Sequence, residues 1–120
     1  MEGHVTWMTE LAVKDGELDA FRELMEEMVD DTRAELGALA YTWYMSEDGA
    51  GVHILETYAD SEAMIAHANR FLEKWIRRYM GSATVKRFVV YGDPSPAARE
   101  ILDGWRATYL APWGGFTRLA

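Results

Sequence analysis

Hydrophobic spacing along this chain changes period in a fixed order, and that order limits the possible folds more than any single residue does. Over residues 4–13, Val5, Trp7, Thr9, Leu11 and Val13 alternate with Thr6, Met8, Glu10 and Ala12, the two-residue repeat of a β-strand. Asp15-Gly16 interrupts it. Acidic Glu17 and Asp19 suit the positive end of a helix, and Leu18, Phe21, Met25, Met28 and Thr32 recur at three- and four-residue spacing. The spacing predicts a first helix ending near Glu35, with Gly37 as a left-handed stop. Residues 39–47 read as a strand rich in aromatics (Tyr41, Trp43, Tyr44), Asp48-Gly49 as a hairpin turn, and residues 52–58 as the returning strand. Asp60 or Ser61 can cap a second helix. Its stripe comprises Met64, His67, Ala68, Phe71, Leu72, Trp75, Ile76 and Tyr79, and Gly81 ends it. Residues 84–91 alternate again as a fourth strand.

The resulting order, β-α-β-β-α-β, predicts an α+β fold of the ferredoxin-like, split βαβ type, with both helices on one face of a four-stranded antiparallel sheet. The opposite sheet face is then left bare. Several of its residues are apolar or aromatic, and a patch of that size rarely faces water. A homodimer joined through the two sheet faces, with two-fold symmetry, is therefore expected. Pro94 and Pro96 mark a boundary, so residues 1–92 form the ferredoxin-like domain and residues 93–120 a C-terminal extension. Residues 97–105 can form a short helix. The segment 109–116, which includes Trp113 and Phe116, is too apolar for a solvated arm and is expected to pack on its own domain or on the partner subunit.

Composition excludes several functions. A length of 120 residues fits one domain with a sizeable core. The formal net charge of -8 disfavours nucleic acid and anionic membrane surfaces as partners. With no Cys there is neither a disulfide nor a thiol nucleophile, which a reducing cytoplasm tolerates. No signal peptide and no membrane span are read in the chain, so a cytoplasmic location is expected. His4, His53 and His67 are scattered and form no helical ligand pair, so no metal is expected. Gly49-Ala50-Gly51 is a turn and Gly114-Gly115 lacks a following helix and Lys, so there is no nucleotide loop. Arg77-Arg78 and Lys86-Arg87 read as solvated charge.

Three stretches, Glu35-Leu36-Gly37-Ala38-Leu39-Ala40-Tyr41, Glu56-Thr57-Tyr58-Ala59-Asp60-Ser61-Glu62-Ala63, and His67 four residues beyond Ala63, occur in order and at matching element spacing. Together they resemble the antibiotic biosynthesis monooxygenase (ABM) family over residues 4–92. The resemblance implies a dimeric α+β barrel, and a family that includes cofactor-independent monooxygenases, quinol oxidases, haem-degrading members and an isomerase. Fold alone does not choose among these. Strand one has no Asn, and Thr57 and Tyr58 stand where the haem-degrading branch places a Trp, which separates this chain from haem cleavage.

His67 is the first candidate for chemistry. Its pKa near neutrality suits a general base, or a hydrogen-bond donor to a phenolic or enolic substrate. The structural alternative is a core His donating to a backbone carbonyl or to Glu56. Glu56 shares strand parity with Val52, Ile54 and Tyr58, and a buried acid there needs a partner. It either orients His67, takes a proton itself, or pairs with a cation across the sheet or dimer interface. Trp7, Tyr41, Trp43, Phe71 and Trp75 are candidate walls of a flat ligand pocket, or ordinary core. Asn69 lies about 200° round the helix from His67 and is expected on the surface. The leading functional expectation is a cofactor-independent monooxygenase acting on a small or planar phenol or quinol. The alternatives are a non-catalytic dimeric ligand-binding protein and a non-oxidative isomerase with Glu56 and His67 as its acid–base pair.

Overall fold

The structure, a computed structural model, describes residues 3–118. Its elements run β1 Val5–Val13, α1 Leu18–Thr32, β2 Ala38–Met45, β3 Gly51–Tyr58, α2 Ser61–Lys74, α3 Ile76–Ser82, β4 Ala83–Gly92, α4 Pro96–Gly104 and β5 Thr108–Leu110. The sheet order is β2-β3-β1-β4-β5. The first four strands pair antiparallel, with β1 central. The ferredoxin-like α+β architecture thus follows from the periodicity.

Alternation on β1 and β3 sends one set of side chains under the helices. Val5, Trp7, Tyr58, Val90 and Phe88 pack with Met64 and Ala68 of α2, and Leu11, Val52 and Ile54 pack with Phe21, Leu24 and Met28 of α1. The two clusters form one inner layer, and burial of this layer is the main favourable term in folding. On the outer face Tyr44, Leu55, Tyr91 and Leu110 remain exposed.

The second helix departs from one continuous stripe. Its regular geometry is interrupted at Trp75, where φ is -116° and ψ -26°, and α3 follows as a separate helix. Trp75 Nε1 donates to Asp31 Oδ2 at 3.2 Å, and Asp31 also receives Arg70 through two hydrogen bonds of 2.6 Å and Lys74 at 3.2 Å. Arg70 in particular holds the Asp31 carboxyl well below the usual carboxylate range. Asp31 of α1 therefore ties down the junction of α2 and α3. Leu72 faces solvent rather than the core.

Two glycines act differently from a left-handed stop. Gly81 lies inside α3 instead of ending it. Gly37 has no positive φ; its role is proximity, because a Cβ there would lie 2.5 Å from the Ala63 Cβ. The loop after α1 can approach α2 only without that methyl group.

The sheet gains a fifth strand that periodicity did not predict. Ser95 caps α4 by accepting from Ala98 N at 3.2 Å, and Pro96 fits the first helical turn, where its missing N–H is no loss. Ala98 and Leu102 are fully buried against the inner layer. The chain then turns back, and β5 pairs with β4 in parallel, so the sheet is not wholly antiparallel. A helical crossover between β4 and β5 makes that parallel pairing possible. The turn is a Schellman motif: Arg106 N donates to Asp103 O at 3.0 Å and Ala107 N to Leu102 O at 3.2 Å. Its left-handed position, usually a glycine, is Arg106, with φ 59°. Such a conformation costs an L-residue roughly 1–2 kcal/mol. Beyond β5, residues 111–118 are exposed, Trp113 and Phe116 included.

Candidate functional site

Strand pairing assembles the site. Glu56 of β3 lies opposite Trp7 of β1 on one side and Tyr41 of β2 on the other, all three pointing to the helix-covered face. Tyr58, two residues along β3, shares that face. Its hydroxyl donates to Glu56 Oε1 at 2.5 Å. The Asp60 cap, accepting from Ala63 N at 2.8 Å, fixes the start of α2, and His67 descends from that helix onto the same cluster.

His67 is held from two sides. Its Nδ1 donates to Glu35, with 3.0 Å to Oε1 and 3.2 Å to Oε2, and its Nε2 forms an ion pair with Glu56 Oε1 at 3.4 Å. Glu35 reaches it from the loop after α1, where Glu35 N donates to Thr32 O at 2.9 Å and Ala38 N to Glu35 O at 3.0 Å. Rings enclose the imidazole: Tyr58 at 5.0 Å, Tyr41 at 5.6 Å and Trp7 at 6.4 Å between centroids. His67 and Glu56 are each only 6% exposed, so water screens them little.

The protonation state follows from the partners. Carboxylates only accept, and a neutral imidazole can donate from one nitrogen only. The second nitrogen would then place its lone pair against a carboxylate. Burial pushes the His67 pKa down, but the hydrogen bonding and charge of Glu56, and then of Glu35, outweigh it, and the net direction is up. His67 is thus held as an imidazolium between two carboxylates. Burial and the Glu56 charge push the phenols of Tyr41 and Tyr58 far up, so both remain protonated donors. No described side chain donates to Glu56 Oε2, which leaves that oxygen as an available acceptor.

Beside this cluster lies a cavity of about 290 Å³. It is lined by the buried Trp7, Glu56, His67 and Phe88, by the half-buried Tyr41, Phe71 and Trp105, and by the exposed Arg106. The volume is at the small end of ligand sites. Trp105 stacks edge-on against Trp7 at 6.1 Å and Phe88 at 6.0 Å. Among the described residues no group of three or more His, Asp or Glu side chains is arranged to hold a metal ion.

Of the residues singled out from sequence, His67, Glu56, Trp7, Tyr41 and Phe71 meet at this cavity. Trp43 and Trp75 stand outside its wall. Trp43 is opposite Ile54, one step along the sheet from Glu56, and packs on Phe21 at 5.6 Å. Trp75 turns to Asp31, with Lys74 4.8 Å above its ring. Glu56 pairs with His67 and Tyr58 rather than with an Arg or Lys. Asn69 is exposed, and His53 lies on the opposite face near Glu10. Sequence reasoning missed Glu35 and Tyr58 as partners, although both stand in the motif stretches and Tyr58 has the parity of Glu56. It also missed Trp105 and Arg106, for which no periodic signal exists.

The sheet order and helix placement are those of small ferredoxin-like α+β proteins. The chain belongs to the antibiotic biosynthesis monooxygenase family, whose model matches residues 4–89. Among solved structures it is similar to MupZ from Pseudomonas fluorescens, with a TM-score of 0.80, 19% identity, and 96% of this chain and 94% of that chain covered. It is also similar to a conserved protein from Methanosarcina mazei, with a TM-score of 0.66, 15% identity, and 73% of this chain and 90% of that one covered. A third is Rv0793 from Mycobacterium tuberculosis, with a TM-score of 0.62, 24% identity, and 78% and 98% covered. A search of curated proteins gave no match. The match to MupZ is long enough to include most of the C-terminal extension, whereas the other two are nearly used up by about three-quarters of this chain.

Proposed function

We propose that this protein is a cofactor-independent monooxygenase whose His67–Glu56 pair ionises a small phenol-, quinol- or enol-type substrate. One observation carries the reading: an imidazole bracketed by two carboxylates lines an apolar, aromatic-walled cavity of ligand size. Glu56 Oε2 takes the proton. The His67 imidazolium, through its Nε2–H, holds the oxyanion that forms, exchanging its loose 3.4 Å contact with Glu56 for the substrate oxygen. Trp7, Tyr41 and Phe71 fix the ring plane. An ionised substrate of this kind is electron-rich enough to react with O₂ directly. When a methylene becomes a carbonyl, one oxygen atom is retained, the other leaves as water, and all four electrons come from the substrate.

Oxygen uptake with a panel of hydroquinones and anthrones tests the proposal. Turnover that is unchanged in His67→Ala would remove His67 from the mechanism. A second reading, a non-oxidative proton-transfer enzyme, is favoured by the same carboxylate bracket, since nothing in it is specific to O₂. Solvent deuterium entering the substrate without oxygen consumption would select it.

We further infer that two copies associate through the outer sheet face, where Tyr44, Leu55, Tyr91 and Leu110 are exposed together. No helix is long and apolar enough to cross a membrane.

A further inference from the structure

We infer that Arg106 is the anchor for a carboxylate on the ligand, so that the cavity takes a monoanionic amphiphile, with its acid at the outer end and a neutral, ionisable end at His67 and Glu56. The inference rests on reading this cavity as the ligand site, and adds the class of ligand and its direction.

Apart from His67, Arg106 is the only cationic residue in the cavity wall. It is exposed, as are Gly104 and Met80 of the same wall, whereas Glu56 and His67 are buried. The cation therefore stands at the mouth and the Glu56 carboxylate on the buried floor. No carboxylate among the described residues pairs with it. The nearest acid in sequence, Asp103, already accepts the Tyr109 hydroxyl at 2.6 Å. The other arginines that have partners are committed elsewhere: Arg70 to Asp31, Arg78 to Glu27, Arg87 to Glu10, Arg99 over the Tyr109 ring and Arg118 over the Phe116 ring.

Backbone conformation adds a second observation. Arg106 is the only non-glycine residue with positive φ among the described residues, in a turn where glycine would serve better. Unfavourable backbone states of this kind persist where a side chain is wanted at that place. Charge on the floor sets the direction. Glu35, Glu56 and the imidazolium sum to one negative charge, which repels a carboxylate from that end. Between the two ends the wall is Trp7, Phe71, Phe88 and Trp105, which suits an apolar body. An arginine fork matches a carboxylate in two parallel hydrogen bonds.

Calorimetric titration with 2-naphthoate and its neutral analogue 2-naphthamide tests the assignment. The wild-type protein is expected to bind the acid about tenfold more tightly at low ionic strength, the preference shrinking as salt rises. Arg106→Gln should abolish the preference while leaving naphthamide affinity within about twofold, and Arg106→Lys should retain part of it. Equal binding of the two probes by the wild type, failure to bind either, or a preference that survives Arg106→Gln would each overturn it. His67→Ala should keep the preference. Loss of turnover and loss of carboxylate preference therefore report separately on the proposed reaction and on this anchor.

Discussion

Glu35 receives the Nδ1–H of His67 at 3.0 Å from a residue 32 positions away in the chain, and so joins the loop after α1 to the inner face of α2. That contact and Glu56 on the other nitrogen make the imidazole more basic than the ordinary 6.5. A raised folded-state value means that the stabilisation from charging His67 is fully present below 6.5 and is lost as pH rises through the folded value. An NMR titration of the His67 ring should give a midpoint above 6.5, with unfolding free energy falling across the same window. A midpoint at or below 6.5 would contradict the bracket.

Glu56→Gln keeps the shape of the side chain and removes its charge. The His67 midpoint should fall relative to wild type, and kcat should drop by about 10²–10⁴-fold if Glu56 is the proton acceptor. Tyr58→Phe removes the donor at Glu56 Oε1, inside the core. Denaturant unfolding should show a loss on the order of 2 kcal/mol.

Gly37→Ala introduces a methyl group 2.5 Å from the fixed Ala63 Cβ, so the α1 loop must move away from α2. A loss of about 2 kcal/mol is expected, or roughly 8 °C in Tm for a chain of this size. Glu35 shares that loop, so the His67 midpoint should shift down as well. Gly81→Ala meets nothing within 4 Å inside α3 and should raise stability by about 0.5–1 kcal/mol.

The extension separates into a part that packs on its own domain and a part that is exposed in the single chain. Leu102→Ala empties a fully buried position and should cost about 3 kcal/mol. A chain ending at Leu110 loses only exposed residues among those described and should keep its Tm within about 2 °C. Thermal scans of the two variants give the comparison.

Leu55→Glu places a charge in the middle of the outer sheet face, opposite Met8 and Thr42. Sedimentation should show the wild type at twice the 13.7 kDa chain mass and the variant at the chain mass. A wild-type species of 13.7 kDa at micromolar concentration would end the dimer proposal.

Strand and helix order was legible because burial on one face imposes a period, and β1, β3, α1 and α2 each bury one face. The break at Trp75 was not legible. It depends on Asp31, which is distant in sequence and whose exposed-looking position on α1 gives no sign of four incoming donors. β5 was missed because three residues are too few to display alternation. At the site, Glu56 and His67 could be found as polar residues within apolar stripes. Glu35 falls on the next position of the α1 spacing, but α1 stops at Thr32, and the close approach allowed by Gly37 brings its loop near α2. Trp43 and Trp75 share the apolar spacing of the cavity residues, and spacing cannot tell which stretch of an inner face is hollow.

The three groups to which we assign the proton chemistry, Glu35, Glu56 and His67, all lie within residues 4–89, while Trp105 and Arg106 of the cavity wall lie beyond them. The terminal segment can therefore set what the cavity admits while the proposed acid–base residues stay within the part of the chain that the family model matches. An engineer can do the same by grafting residues 93–110 between relatives.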